Sequence, residues 1–155
     1  MELNKSVLQF GIIFMGILSL FIFGFKAEAT EWKLFQATPT GDIYYYDPTS
    51  VKRFPNDILS VWVRIIETTE FSKKDLEKLK DSKRANDVIK EAQKKSKGES
   101  KHLFEINCSA NMVRVLKATL YDTKGTIKED YESPSEWVPI PKNSVTNYLT
   151  EILCH

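Results

Sequence analysis

Soft metal ligands are almost absent from this chain, whose 155 residues carry two histidines and two cysteines. His102, Cys108, Cys154 and His155 are the whole set, and only Cys154 and His155 are neighbours, too close for easy shared ligation. No metal site is expected from them. The glycine-rich and nucleophile patterns G-x-G-x-x-G, the P-loop and G-x-S-x-G do not occur. Glu129, Asp130, Glu132 and Glu136 crowd into one short stretch, the pattern of a solvated strand edge rather than of two carboxyls facing each other across a cleft. These absences predict a protein that is not an enzyme and needs no cofactor. Charge of either sign is also lacking in excess, since 22 basic side chains meet 21 acidic ones for a net +1. Nothing at that level asks for a nucleic-acid partner.

Long apolar runs are missing too, with one exception at the start. Lys5 is followed by a stretch from Val7 to Phe25 interrupted only by Gln9 and Ser19 among polar residues, and then by Lys26-Ala27-Glu28-Ala29. A basic start, an apolar middle and an A-x-A end predict a secretory signal peptide over residues 1–29, cleaved after Ala29, and a single domain over 30–155. The competing reading keeps the run as a membrane anchor, because its length suits a hydrocarbon core of about 30 Å. No cysteine near the junction offers a lipid attachment point. Either way the chain is expected to be exported across the inner membrane, to the periplasm, the medium or the cell surface. In such an oxidising compartment Cys108 and Cys154 are expected to pair, closing a loop and contributing about 4 kcal/mol on the chain-entropy account. Paired, neither thiol is left for nucleophilic chemistry.

The remaining sequence alternates between two periodicities. Ile58 to Ile66 is the clearest strand, with Leu59, Val61, Val63 and Ile65 on one face, Ser60, Trp62 and Arg64 on the other, and a turn at Pro55-Asn56-Asp57 before it. Further strands are expected at Trp32 to Phe35, with a slip in the alternation, at Ile43 to Tyr46, at Lys101 to Cys108, and at Met112 to Tyr121. The last joins a returning strand, Thr126 to Tyr131, through Asp122-Thr123-Lys124-Gly125. Between them, residues 72–97 have helical composition, with Ser72 as a possible cap, only a thin apolar stripe (Leu76, Leu79, Val88, Ile89, Ala92) and a glycine stop at Gly98. Val145, Tyr148, Leu149, Ile152 and Leu153 recur at helical spacing after a cap at Asn143 or Ser144. At 100° per residue Cys154 would point away from that stripe, so regular helix must stop by Leu153 if Cys154 is to reach Cys108. The fold class predicted is α+β: an antiparallel sheet of about five to six strands, a C-terminal helix packed on it and an inserted charged helix.

Two features could bind a ligand. From Lys73 to Lys97 the chain carries ten Lys or Arg against five acids, so that Lys83, Arg84, Lys90, Lys94 and Lys95 could attract sulfated glycans, anionic headgroups or an acidic partner. Interleaved acids such as Glu91, four residues before Lys95, also allow a merely solvated helix. Tyr44-Tyr45-Tyr46 suggests an aromatic platform at Tyr44 and Tyr46, although alternation turns Tyr45 to the opposite side.

In order along the chain, Trp32, Tyr45-Tyr46-Asp47-Pro48, Ser50-Val51, Val61-Trp62-Val63, Glu105-Ile106-Asn107-Cys108, Tyr121-Asp122, Gly125, Pro134-Ser135-Glu136-Trp137, Ile140-Pro141, Ser144-Val145 and Leu153-Cys154 resemble the bacterial surface-adhesin protein E family. The resemblance covers nearly all of the chain after Ala29 and implies an antiparallel sheet, a packed helix, the Cys108–Cys154 bridge and an adhesin-like role. An extracellular-matrix protein, a glycan or another envelope component would be the partner. A membrane enters only if the leader is retained.

Overall fold

A computed structural model describes residues 31–68, 73–79 and 82–155. The predicted leader 1–29 and its cleavage position Ala29 lie outside the described residues, as does the proposed cap Ser72. The framework is an antiparallel sheet of eight strands. They are β1 (Lys33–Ala37), β2 (Asp42–Tyr46), β3 (Lys52–Phe54), β4 (Ile58–Glu67), β5 (Gly98–Asn107), β6 (Met112–Tyr121), β7 (Ile127–Tyr131) and β8 (Val138–Pro139). The order is β1-β2-β4-β5-β6-β7, with β3 also beside β4 and β8 also beside β6. Helices α1 (Lys73–Leu79) and α2 (Ser82–Lys94) lie between β4 and β5, and α3 (Val145–Leu153) closes the chain.

The sheet has two strands more than the upper expected count, and the excess is explained by interruption. Asp47 breaks the edge that β2 begins: its Oδ1 accepts hydrogen bonds from the Thr49 amide at 2.8 Å and the Thr49 hydroxyl at 2.6 Å, holding the 3-10 turn Pro48–Ser50. The Ser50 hydroxyl then donates to the Asp47 carbonyl and accepts from the Trp62 amide, so the joint stays tied to β4 until β3 resumes the pairing. The Tyr-Asp-Pro-x-Ser stretch is thus a structural hinge between two short strands. The slip foreseen in the first strand is a register shift between Leu34 and Gln36, a β-bulge that turns Phe35 toward the core.

Strand β4 carries the core. Leu59, Val61 and Val63 are buried on one face with Ile106, Ile140, Leu149 and Leu153, so α3 lies across this side of the sheet. Its start is capped by Ser144, whose hydroxyl accepts the Asn147 amide at 3.1 Å. Regular helix ends at Leu153, as the disulfide geometry requires, and Cys154 turns to bond Cys108 with Cα atoms 5.6 Å apart. Arg53 on β3 donates from Nη2 to the Leu153 carbonyl at 2.8 Å, placing a cation on the negative end of the helix. The apolar stripe of α3 is narrower than its spacing predicts, since Tyr148 and Ile152 are exposed.

Three expectations for the middle of the chain need correction. Residues 72–97 hold two helices rather than one. The inserted stretch does bury side chains: Val88 and Ala92 are buried, and Ala92 and Ile89 pack on Ile43, Tyr45 and Ile66, on the sheet face opposite α3. The sheet therefore has a buried area on each of its faces. Gly98 is no helix stop. It is the buried first residue of β5, and a Cβ there would lie 3.1 Å from the Tyr121 carbonyl oxygen, so the absence of a side chain permits the close approach of β6.

Candidate functional site

Sequence-based candidates fall into three places. Tyr44 and Tyr46 lie on the α3 side, half-buried, with ring centroids 6.1 and 6.0 Å from that of Phe35. Burial first, then Asp42 and Glu67, pushes the Tyr44 hydroxyl pKa up. These two tyrosines pack rather than form a flat exposed platform, while Tyr45 is buried on the other face beneath α2. Lys83 and Arg84 belong to the first turns of α2, Lys90 and Lys94 are exposed further along it, and Lys95 is exposed just past its end. Lys95 Nζ is 3.7 Å from Glu91, the exposed helical pair that the spacing suggested. Cys108 and Cys154 are consumed by their bond. Among the described residues no group of three or more His, Cys, Asp or Glu is placed to hold a metal ion, and no helix there is long and apolar enough to cross a membrane.

The surface that sequence reasoning missed is the rest of the face opposite α3. Strand register assembles it row by row. Ser60, Glu105 and Arg114 form one row, Trp62, Leu103 and Lys117 the next, then Arg64, Lys101, Thr119 and Asp130, and finally Ile66, Glu99, Tyr121 and Ile127. Within this grid each cation finds a neighbour. Arg64 bonds Glu99 at 2.6 Å, Arg114 bonds Glu105 at 2.5 Å, and Lys117 reaches Glu132 at 2.5 Å and Asp130 at 3.4 Å. Three cations also cover aromatic rings, Lys101 at 5.1 Å from the Tyr121 centroid, Arg114 at 4.6 Å from that of Trp137 and Arg64 at 6.0 Å from that of Tyr45.

Local backbone chemistry holds this arrangement. Ser135 donates its amide to the Val115 carbonyl and accepts the Val115 amide on its hydroxyl, docking Pro134-Ser135-Glu136-Trp137 against β6 where β7 ends and before β8 begins. That docking brings Trp137 over Arg114. The β6–β7 turn is set by Asp122, which accepts from the Lys124 and Thr126 amides at 2.8 and 2.9 Å, with Gly125 at φ 78°. Those same bonds hold the Asp122 carboxyl below the usual carboxylate range. Asp130 is likewise held down, first by the Thr119 hydroxyl and then by Lys117. The Lys117 ammonium is pushed up, chiefly by its bond to Glu132. The shifts of Asp130 and Lys117 thus favour the charged form of each partner, and that of Asp122 the carboxylate that closes the turn.

At one end of this face, between the segment after α2 and the β6–β7 turn, lies an open cleft of about 600 Å³ lined by Arg64, Ser96, Gly98, Glu99, Lys101 and Tyr121, with Asp122, Thr123 and Gly125 on the turn side. A smaller hollow of about 350 Å³ borders the disulfide between Arg53, Asp57 and His155.

The ordered motifs, the bridge and the helix-covered sheet agree with a comparison against known families. The family model for surface-adhesin protein E matches residues 32–155. The chain belongs to that family. As a surface-adhesin E domain it has a match that starts at Trp32, just before β1, and runs past α3 to the last residue, so the whole sheet and both ends of the disulfide lie inside it. No curated protein matches the chain. Three motifs of the surface-adhesin E domain shape its framework: the Asp47-Pro48 joint, the Cys108–Cys154 clamp and the Ser135 docking.

Proposed function

We propose that this chain is an exported, non-catalytic adhesin-like domain that binds a macromolecular ligand through the sheet face opposite α3. The observation that carries the reading is the contrast in covering. One face is closed by a helix fixed covalently at its end, whereas the other presents Trp62, Leu103, Arg114 and Trp137 in a grid of paired charges over β4, β5 and β6. Aromatic and arginine side chains are the types that dominate protein recognition energetics, and paired charges on a rigid sheet need little reordering on binding. Membership of the surface-adhesin E family supports adhesion as the purpose of that face.

Protease treatment of intact source cells, followed by fractionation, tests the location, and adhesion of those cells tests the face. Surface cleavage of the protein is expected, together with a fall in adhesion of at least about tenfold for Arg114→Glu combined with Trp137→Ala, of the size associated with interface hot spots. Protein confined to the periplasm, or undiminished adhesion by the variant at equal surface level, would overturn the proposal.

A further inference from the structure

We infer that the cleft between the end of α2 and the β6–β7 turn is a subsite for an anionic saccharide, one bearing carboxylate or sulfate groups. This rests on the adhesin reading above and names the ligand class for one end of the same face. Charge is the first argument. Arg64 and Lys101 share a single carboxylate, Glu99, at 2.6 and 3.8 Å. The guanidinium meets Glu99 through Nη2 and lies 6.0 Å from the Tyr45 ring centroid; its Nε is buried, so an entering anion would meet the remaining Nη donors. The other carboxylate in the cleft, Asp122, is turned to the backbone amides of Lys124 and Thr126.

The rim adds more positive charge. Lys97 stands between the lining residues Ser96 and Gly98, Lys124 between Thr123 and Gly125, and both are exposed with no ion pair among the described residues. The lining itself thus carries two cations and two carboxylates, both carboxylates already engaged, and Lys97 and Lys124 stand next to it in sequence at a concave site whose low-dielectric walls concentrate the field on an entering anion. The walls supply the second argument. Apart from Ile66 and Tyr121 they are charged, hydroxyl-bearing or glycine backbone, and Lys101 already covers the Tyr121 ring. Such a lining offers hydrogen bonds to hydroxyls and more polar than apolar area, which suits a hydrated sugar acid better than a lipid tail or an apolar side chain. The size lies within the range of small-ligand clefts.

The test is a titration of the full chain with a heparin-type sulfated tetrasaccharide, followed by amide resonances. Shifts are expected at Ser96, Gly98, Thr123 and Gly125, weakening with added salt and absent with a neutral maltotetraose. Lys97→Glu with Lys124→Glu should weaken binding about tenfold, the equivalent of roughly 1.4 kcal/mol, at an unchanged urea midpoint. Lys142→Glu, at the start of the α3 segment, should leave it as it was. Equal response to hexaglutamate or to phosphatidylglycerol vesicles, shifts elsewhere, or an unaffected double variant would overturn the saccharide assignment. Cells that adhere through Arg114 and Trp137 while the tetrasaccharide leaves the cleft silent would remove this inference alone. Saccharide binding at the cleft in a protein confined to the periplasm would remove the adhesion reading alone.

Discussion

The two faces of the sheet are made by the same strands and closed by different means. Under α3 the contacts are aliphatic and continuous from Leu59 to Leu149 and Leu153, and three devices hold the helix: the Ser144 cap, Arg53 on the last carbonyl and the disulfide. On the opposite face α2 covers only the end around Ile43, Tyr45 and Ile66, and the remainder is a lattice of ion pairs and cation–aromatic contacts. Burial of apolar area contributes far more to stability than exposed ion pairs do. The molecule therefore concentrates its stability on one side, and the other can vary its side chains without unfolding the domain. That division of labour suits a binding module, whose recognition surface changes while its scaffold stays.

The largest expected effect breaks the comparison at its covalent end. Replacing Cys108 and Cys154 together by alanine should lower unfolding free energy by about 4 kcal/mol, read as the urea midpoint, because the bridge spans 46 residues of sequence. If the clamp belongs to the α3 face alone, amide exchange in the variant should rise along α3 and leave β6 and β7 protected. The next effect sets the two helices against each other. Leu149 is fully buried on the sheet-facing side of α3, so Leu149→Ala should cost about 3 kcal/mol, whereas Ile89→Ala, half-buried on α2, should cost about 1 kcal/mol. Equal losses in the urea midpoint would show that both faces carry the fold alike.

How much of this was legible depends on whether a feature is local. β4, β6, α3 and the Asp122–Gly125 turn each announce themselves in a dozen residues or fewer, because alternation, helical spacing and a left-handed glycine are set by neighbours in sequence. The end of α3 was legible for the same reason, since 100° per residue fixes where Cys154 would point. β3 and β8 were not, as strands of three and two residues have no period to detect and exist only through β4 and β6. The division between α1 and α2 had a signal, the cap-forming types Asp81 and Ser82, which the continuous charge pattern obscured. Gly98 was misread because a glycine after a helix usually ends it, and only the approach of β6 shows its real constraint. The charge–aromatic face needed register: Arg114 and Trp137 are 23 residues apart, and nothing in either sequence neighbourhood joins them.

A smaller effect sharpens the contrast on the open face. A double-mutant cycle on Arg114→Ala and Glu105→Ala should give a coupling below about 1 kcal/mol, falling with added salt, because the pair is close but partly solvated. The same substitutions are expected to matter more for adhesion than for folding. A coupling of several kcal/mol would make this face a structural element in its own right.

The smallest effect concerns the one histidine in the sheet. His102 sits on β5 on the α3 side, opposite Val63 and Ala118, with its Nε2 2.9 Å from the Ser100 hydroxyl and its ring centroid 5.8 Å from that of Phe104. Burial holds its pKa below the ordinary 6.5. The unfolded chain therefore takes up the proton first, and the stability associated with neutral His102 is present above about pH 6.5 and declines as pH falls through the folded value. The decline should be slight. A serine hydroxyl both donates and accepts, so Ser100 keeps its bond to Nε2 in either protonation state, and only the cost of a charge near apolar neighbours remains. Urea midpoints measured from pH 8 to pH 5 should fall less steeply for His102→Gln than for the parent chain. An identical slope would mean that the α3 side of the sheet admits enough water to solvate the imidazolium, and that the contrast in closure between the two faces is correspondingly smaller.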